Sequence, residues 1–140
     1  MDDAVDVFKR AAVDADIPTL MTTLADDACL VSPLVGGATF RGHDDLRILL
    51  TAVYTTISGL TWTEHHRDGA THVVLGAGRV AGRPLVDAMI VDTNDAGMIQ
   101  RIRPHLGPWS GLTAFAVAMG PKLARHPGVL RRAAQASAAG

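Results

Sequence analysis

The stretch Thr71–Pro108, THVVLGAGRVAGRPLVDAMIVDTNDAGMIQRIRPHLGP, decides the fold. Gly82 and the cluster Asn94–Gly97 interrupt runs of apolar and β-branched residues, so the segment reads as three strands in series, His72–Ala81, Pro84–Asp92 and Met98–Leu106. The middle strand is nearly all apolar, the pattern of a strand covered on both faces. It carries an acid, Asp87, with Leu85, Met89 and Val91 as its neighbours of the same parity. A carboxylate taken out of water is costly unless it has a partner. Asp87 therefore faces an interior where it has a role, or lies on the other face and pairs with Arg79, Arg83 or Arg101. The run 85–91 is apolar on both parities, so alternation leaves both open.

Upstream, the pattern is helical. Val5, Phe8, Ala12 and Val13 share a face in residues 3–14, with Asp2, Asp3 and Asp6 at the positive end. Asp16 and Pro18 restart the chain as an N-cap and an early helical position, giving a second helix over Pro18–Leu24. Ala28–Pro33 reads as a short apolar strand, and Gly36-Gly37 as a turn. Leu46, Leu49, Leu50, Val53, Tyr54 and Ile57 line one face of a third helix, His43–Ile57. Leu60–Arg67 is a further strand, closed by the turn signal Asp68-Gly69. Downstream, Leu112, Phe115, Ala116 and Met119 recur at helical spacing from Pro108 to Gly120-Pro121, and the tail adds a short helix before fraying. Helices first and strands afterwards imply an α+β fold: a curved antiparallel sheet roofed by three N-terminal helices, with an apolar cone between them and a C-terminal helix as lid.

The 140 residues make one domain, with a core of about residues 3–120 and a basic, Ala-rich tail over 121–140. Apolar content of 48% with 19% charge excludes a disordered chain. No apolar run is long enough for a bilayer, and the acidic start MDDAVDVFKR is unlike a signal peptide, so the expectation is a cytoplasmic protein without a membrane partner. Cys29, the single cysteine, lies in an apolar strand and reads as a buried, inert thiol. Residues 101–140 hold six bases and no acid, while the first hundred hold seven bases against fourteen acids. The bases are spread out and lack interleaved aromatics, which argues against nucleic acid. They fit a solvated face or the acidic half of a second subunit. A sheet apolar on both faces needs cover on its outer side, and a homodimer supplies it.

The order of elements, with ADDACLVSPL after the second helix and FRGHDDLRILL opening the third, resembles the nuclear-transport-factor-two-like (NTF2-like) superfamily, and within it the SnoaL-like group that includes polyketide cyclases. Ketosteroid isomerase is a more distant relative. The resemblance implies a cone-shaped pocket for an apolar small molecule and no cofactor. It also implies departures. Ser32, before Pro33, stands where the isomerase has its proton-shuttling aspartate, and Phe8 and Leu50 stand where it has tyrosines. Asp87 aligns with the acid of the isomerase's oxyanion hole, the established example of a carboxylic acid kept neutral by apolar surroundings.

The candidate catalytic residues are therefore Asp87, one of the adjacent pair His65 and His66, and Tyr54. Phe8, Ser32, Leu50, Leu85, Met89 and Arg103 are the candidate substrate-binding residues. His65, His66 and His72 lack a metal-ligand spacing, so no metal is expected. The reaction expected is cyclisation, isomerisation or epoxide opening by acid/base chemistry. The competing reading is a non-catalytic binding or assembly module on the same cone.

Overall fold

Asp3 accepts the backbone N–H of Asp6 and so starts the first helix, α1 (Ala4–Val13), as the acids of that segment imply. Its buried face is Val5, Phe8, Ala11 and Ala12. Asp16 caps α2 (Ile17–Met21) in the same way, with Pro18 in its first turn. The computed structural model describes residues 3–139, with side chains to residue 136.

The chain then enters β1 (Leu24–Val31), four residues earlier than the apolar run suggests. Asp26 and Asp27 point to solvent at an irregularity in the pairing, so the strand accommodates two acids within its length. A three-residue strand, β2 (Thr39–Arg41), pairs antiparallel with β1, and its shortness left no alternation to read. Gly42, at φ +87°, turns the chain into α3 (His43–Thr56). His43 Nε2 lies 3.0 Å from the Leu24 carbonyl and 3.1 Å from that of Ala25, tying the helix start to β1.

β3 (Ser58–Asp68), β4 (Thr71–Val80), β5 (Arg83–Thr93) and β6 (Ile99–Gly107) complete one six-stranded sheet in the order β2-β1-β6-β5-β4-β3. All neighbours are antiparallel except β1 and β6, which run parallel, so the sheet is mixed. The β4–β5 hairpin turns on Ala81 and Gly82, both at positive φ, as a two-residue turn of that twist requires. Two register shifts in β3 bend the sheet. Gly76 leaves room for the Trp62 ring, where a Cβ would come within 2.9 Å of it. The glycines of Gly76-Ala77-Gly78 thus mark close approach across the bend.

After a cis Gly107–Pro108 peptide, α4 (Trp109–Ala124) packs back over β4, β5 and β6 and against α3. It runs through Pro121 instead of stopping there. Val117 and Pro121 both lie on its solvent side, so the carbonyl deprived of a partner faces water. The tail forms a full helix, α5 (Pro127–Ala139), seated by Val129 and Ala133. Arg132 donates two hydrogen bonds to the buried Asp45 at the start of α3, at 2.9 and 2.8 Å. One of the basic tail's charges therefore meets an acid of its own chain. Removing either partner, as Arg132→Ala or Asp45→Asn, is expected to speed amide exchange throughout α5. The double variant should exchange no faster than the worse single one.

Candidate active site

The concave face of the sheet, α1, α3 and α4 enclose a cavity in which water-molecule centres have about 60 Å³ to move. That is room for a few waters, so a ligand of several fused rings enters only if the lid shifts. The wall is apolar: Phe8, Leu50 and Val53 from the helices, Met89 and Ile102 from the sheet, Phe115, Met119 and Leu123 from α4. Ser32, Tyr54 and Asp87 supply its polar side chains.

Burial settles the face on which Asp87 lies. Leu85, Met89 and Val91 are at most 3% exposed, whereas Val86, between them, is 44% exposed. Asp87 shares their parity and so points inward. Its Oδ1 is sealed from solvent and has no hydrogen-bond partner among the described residues. Burial pushes its pKa up from 3.8 to about 7, opposed only by the nearby His105 backbone N–H. Two of the three arginines named above as alternative partners are engaged elsewhere. Arg101 binds Asp92 at 3.0 Å, and Arg79 donates to the Gly82 carbonyl at 3.1 Å.

Tyr54 projects from α3 into the same cavity, packed edge-on against Phe8 with ring centroids 6.0 Å apart. Burial, and then the charge of Asp87, hold its hydroxyl well above the usual tyrosine range. It therefore stays protonated and able to donate. Ser32 Oγ accepts the backbone N–H groups of Leu34 and Val35, both at 3.1 Å, which fixes the loop after β1.

Of the residues singled out above, Phe8, Ser32, Leu50, Tyr54, Asp87 and Met89 come together on this cavity. Leu85 is buried on the same sheet face but off its wall. Arg103 lies on the outer side, in a separate cleft. His65 is the inward member of its pair: an extra residue in β3 between Trp62 and Glu64 shifts the parity. It does not reach Asp87. His65 Nε2 is 2.8 Å from Nδ1 of the buried His72, and Lys9 Nζ lies 3.1 Å from His65 Nδ1. The lysine donates, which makes His65 the donor to His72 in turn. This chain fastens α1 to the β3–β4 hairpin, away from the cavity. His66 is exposed beside Glu64. No cluster of side chains suited to a metal occurs among the described residues.

The leucine and phenylalanine at the lid, and the Pro33–Leu34 edge, were not singled out from sequence as cavity wall. Phe115, Met119 and Leu123 carry a helical period that marks a buried stripe without saying what lies beneath it.

No family model and no curated protein matches the sequence. Solved structures do match. An uncharacterised protein with a cystatin-like fold from Silicibacter pomeroyi superposes with a TM-score of 0.85 at 18% identity, covering 93% of each chain. A steroid delta-isomerase from Pseudomonas aeruginosa gives 0.79 at 24% identity, over 89% of this chain and 92% of its own. An NTF2-like protein of unknown function from Burkholderia xenovorans gives 0.67 at 16%, over 79% and 88%. The fold is NTF2-like. At these identities the NTF2-like likeness carries the architecture alone. The cone, the lid and the position of Asp87 on the inner face of β5 stand on this chain's own geometry. No helix among the described residues is long and apolar enough to cross a membrane.

Proposed function

We propose that the protein binds an apolar small molecule in the cone and moves a proton on it through Asp87, without a cofactor. The observation that carries this reading is the sealed, partnerless Oδ1 of a carboxyl whose pKa is about 7. Such a group is present in both protonation states near neutrality, so it can take a proton and return it. In the simplest step Asp87 removes a proton from a carbon beside a ligand carbonyl. The C–H electron pair moves into an enolate whose oxygen accepts a hydrogen bond from Tyr54. The carboxylic acid then delivers the same proton to that carbon or to a conjugated one, which is an isomerisation. Ser32, engaged with the Leu34 and Val35 amides, lines the pocket without serving as base. The proposal leaves His65 and His66 outside the chemistry. The Pseudomonas aeruginosa neighbour, which shares the architecture, is named a steroid delta-isomerase.

A second reading, a binding module that does no chemistry, is favoured by the lack of another base on the cavity wall. The two separate in deuterium oxide with a decalone as probe. Uptake of deuterium beside the carbonyl, followed by NMR, should be catalysed by the protein and fall roughly a hundredfold or more in Asp87→Asn. Binding of the decalone without uptake would replace the enzyme by the module.

We also propose that the chain works as a homodimer in the cytoplasm, within the SnoaL-like branch. Val73, Leu75, Val86, Ala88 and Ile90 form a part-exposed apolar strip on the outer face of β4 and β5 that a second copy would cover. Buried Cys29 suits a reducing compartment.

A further inference from the structure

The sheet is incomplete beside the cavity. β1 pairs with β6 only as far as Leu30 and Ile102, then leaves through the Ser32–Gly37 loop, while β6 stays paired with β5 to Gly107. Beyond Ile102 the inner edge of β6 therefore has no neighbouring strand. A cleft of about 340 Å³ occupies that gap on the outer side. Ser32, Pro33, Pro104 and Leu106 line both the cleft and the apolar cavity, so a single layer of residues separates the two.

The cleft is chemically unlike the cavity. It is lined by Arg103 and His105 and by no acid. The nearest carboxylate to Arg103, Asp92, is shared. It binds Arg101 Nε at 3.0 Å and lies 3.6 Å from an Arg103 terminal nitrogen, leaving two guanidinium charges for one carboxylate. Arg103 Nε is buried and lacks a hydrogen-bond partner among the described residues. The Arg103 side chain is 36% exposed, so an anion in the cleft meets the accessible part of its guanidinium and balances the charge that the shared Asp92 leaves over.

We infer that the ligand is an amphipathic carboxylic acid, with its apolar body in the cone beneath α4 and its carboxylate in this cleft on Arg103. The chain of the ligand passes between Ser32-Pro33 and Pro104–Leu106. This rests on the reading of the cone as a small-molecule site. It adds a polarity and a direction: the charged end is held at the gap in the sheet, and the reacting carbon lies inward near Asp87.

Octanoate and octanol, titrated against the full chain by calorimetry, separate the two ideas. Octanol reports on the cone alone. Octanoate is expected to bind roughly ten- to a hundredfold more tightly than octanol, the worth of one charge-assisted hydrogen bond and its ion pair. That margin should disappear in Arg103→Gln, with octanol affinity unchanged and the melting temperature serving as the check on folding. Equal affinities in the wild-type protein would overturn the anion cleft and leave the cone reading intact, with no variant needed. An octanoate preference that survives Arg103→Gln would overturn it as well. Failure of both probes to bind would overturn the cone reading along with it.

Discussion

Wild-type protein is expected to lose stability, relative to Asp87→Asn, as pH rises from 4 to 8. The sign follows from proton counting. In the unfolded chain Asp87 ionises near 3.8, and in the folded chain near 7. Between those values the folded state holds a proton that the unfolded state has released, so raising the pH favours unfolding. Below 3.8 both states are protonated and the group contributes nothing. Above about 7 both are ionised and the penalty is constant. A separation of three units corresponds to about 4 kcal/mol, at roughly 1.4 kcal/mol per unit. This is a large share of the stability of a domain of this size.

The comparison with the variant matters because other groups act in the opposite direction. Burial would raise Asp92, but the hydrogen bonds of Thr71 and Arg101 and the charges of Arg101 and Arg103 hold it below its ordinary value. Its contribution is lost as pH falls. His65 and His72 are lowered chiefly by burial, so stability also falls when the unfolded chain takes up their protons below pH 6.5. Asparagine keeps the shape of Asp87 and removes its titration, so the difference between the two denaturation profiles isolates the carboxyl. Profiles that run parallel from pH 4 to 8 would show Asp87 to be in contact with water, and the proton-transfer proposal would fall with it.

How much of this site was legible in advance depended on which physical signal each residue carried. Asp87 stood out because an acid in an apolar strand conflicts with its surroundings. Its face did not, because residues 85–91 are apolar on both parities and only packing distinguishes Leu85 from Val86. The choice between His65 and His66 turned on a single inserted residue in β3, which reverses inside and outside without changing composition. The three N-terminal helices were readable from caps and periodicity, to within a few residues. β2, the parallel pairing of β1 with β6 and the docking of α5 through Arg132 were not, since they depend on contacts between residues far apart in the chain. The gap that places Arg103 beside the cavity arises from where β1 leaves the sheet, and no local pattern encodes that.

Gly111→Val is expected to detach the lid. Gly111 lies in the first turns of α4, where the helix meets the β5 backbone, and a Cβ there would fall 2.0 Å from the Pro84 carbonyl oxygen. Pro84 O is main chain in a paired strand, so it cannot swing aside as a flexible side chain would. The cost of the overlap competes with the gain of replacing glycine in a helix, which is about 1 kcal/mol for alanine and less for valine. Relief requires α4 to lift, and lifting withdraws Phe115 and Met119 from the cavity, which are 4% and 2% exposed in the seated helix. Losing the burial of two such side chains costs roughly 3–5 kcal/mol, so the clash wins by several-fold. Gly120, in the same helix, has open space apart from its chain neighbours, but Pro121 follows it and disfavours a Cβ on a helical residue before it, so Gly120→Ala should leave stability within about 1 kcal/mol of wild type. Chemical denaturation should therefore show a large loss of stability for Gly111→Val and little change for Gly120→Ala. An apolar dye should bind Gly111→Val strongly and Gly120→Ala no more than wild type, because only the first opens the cone. Equal stability in the two variants would mean that α4 does not rest on β5 at Gly111, and that the cavity is roofed by something other than this helix.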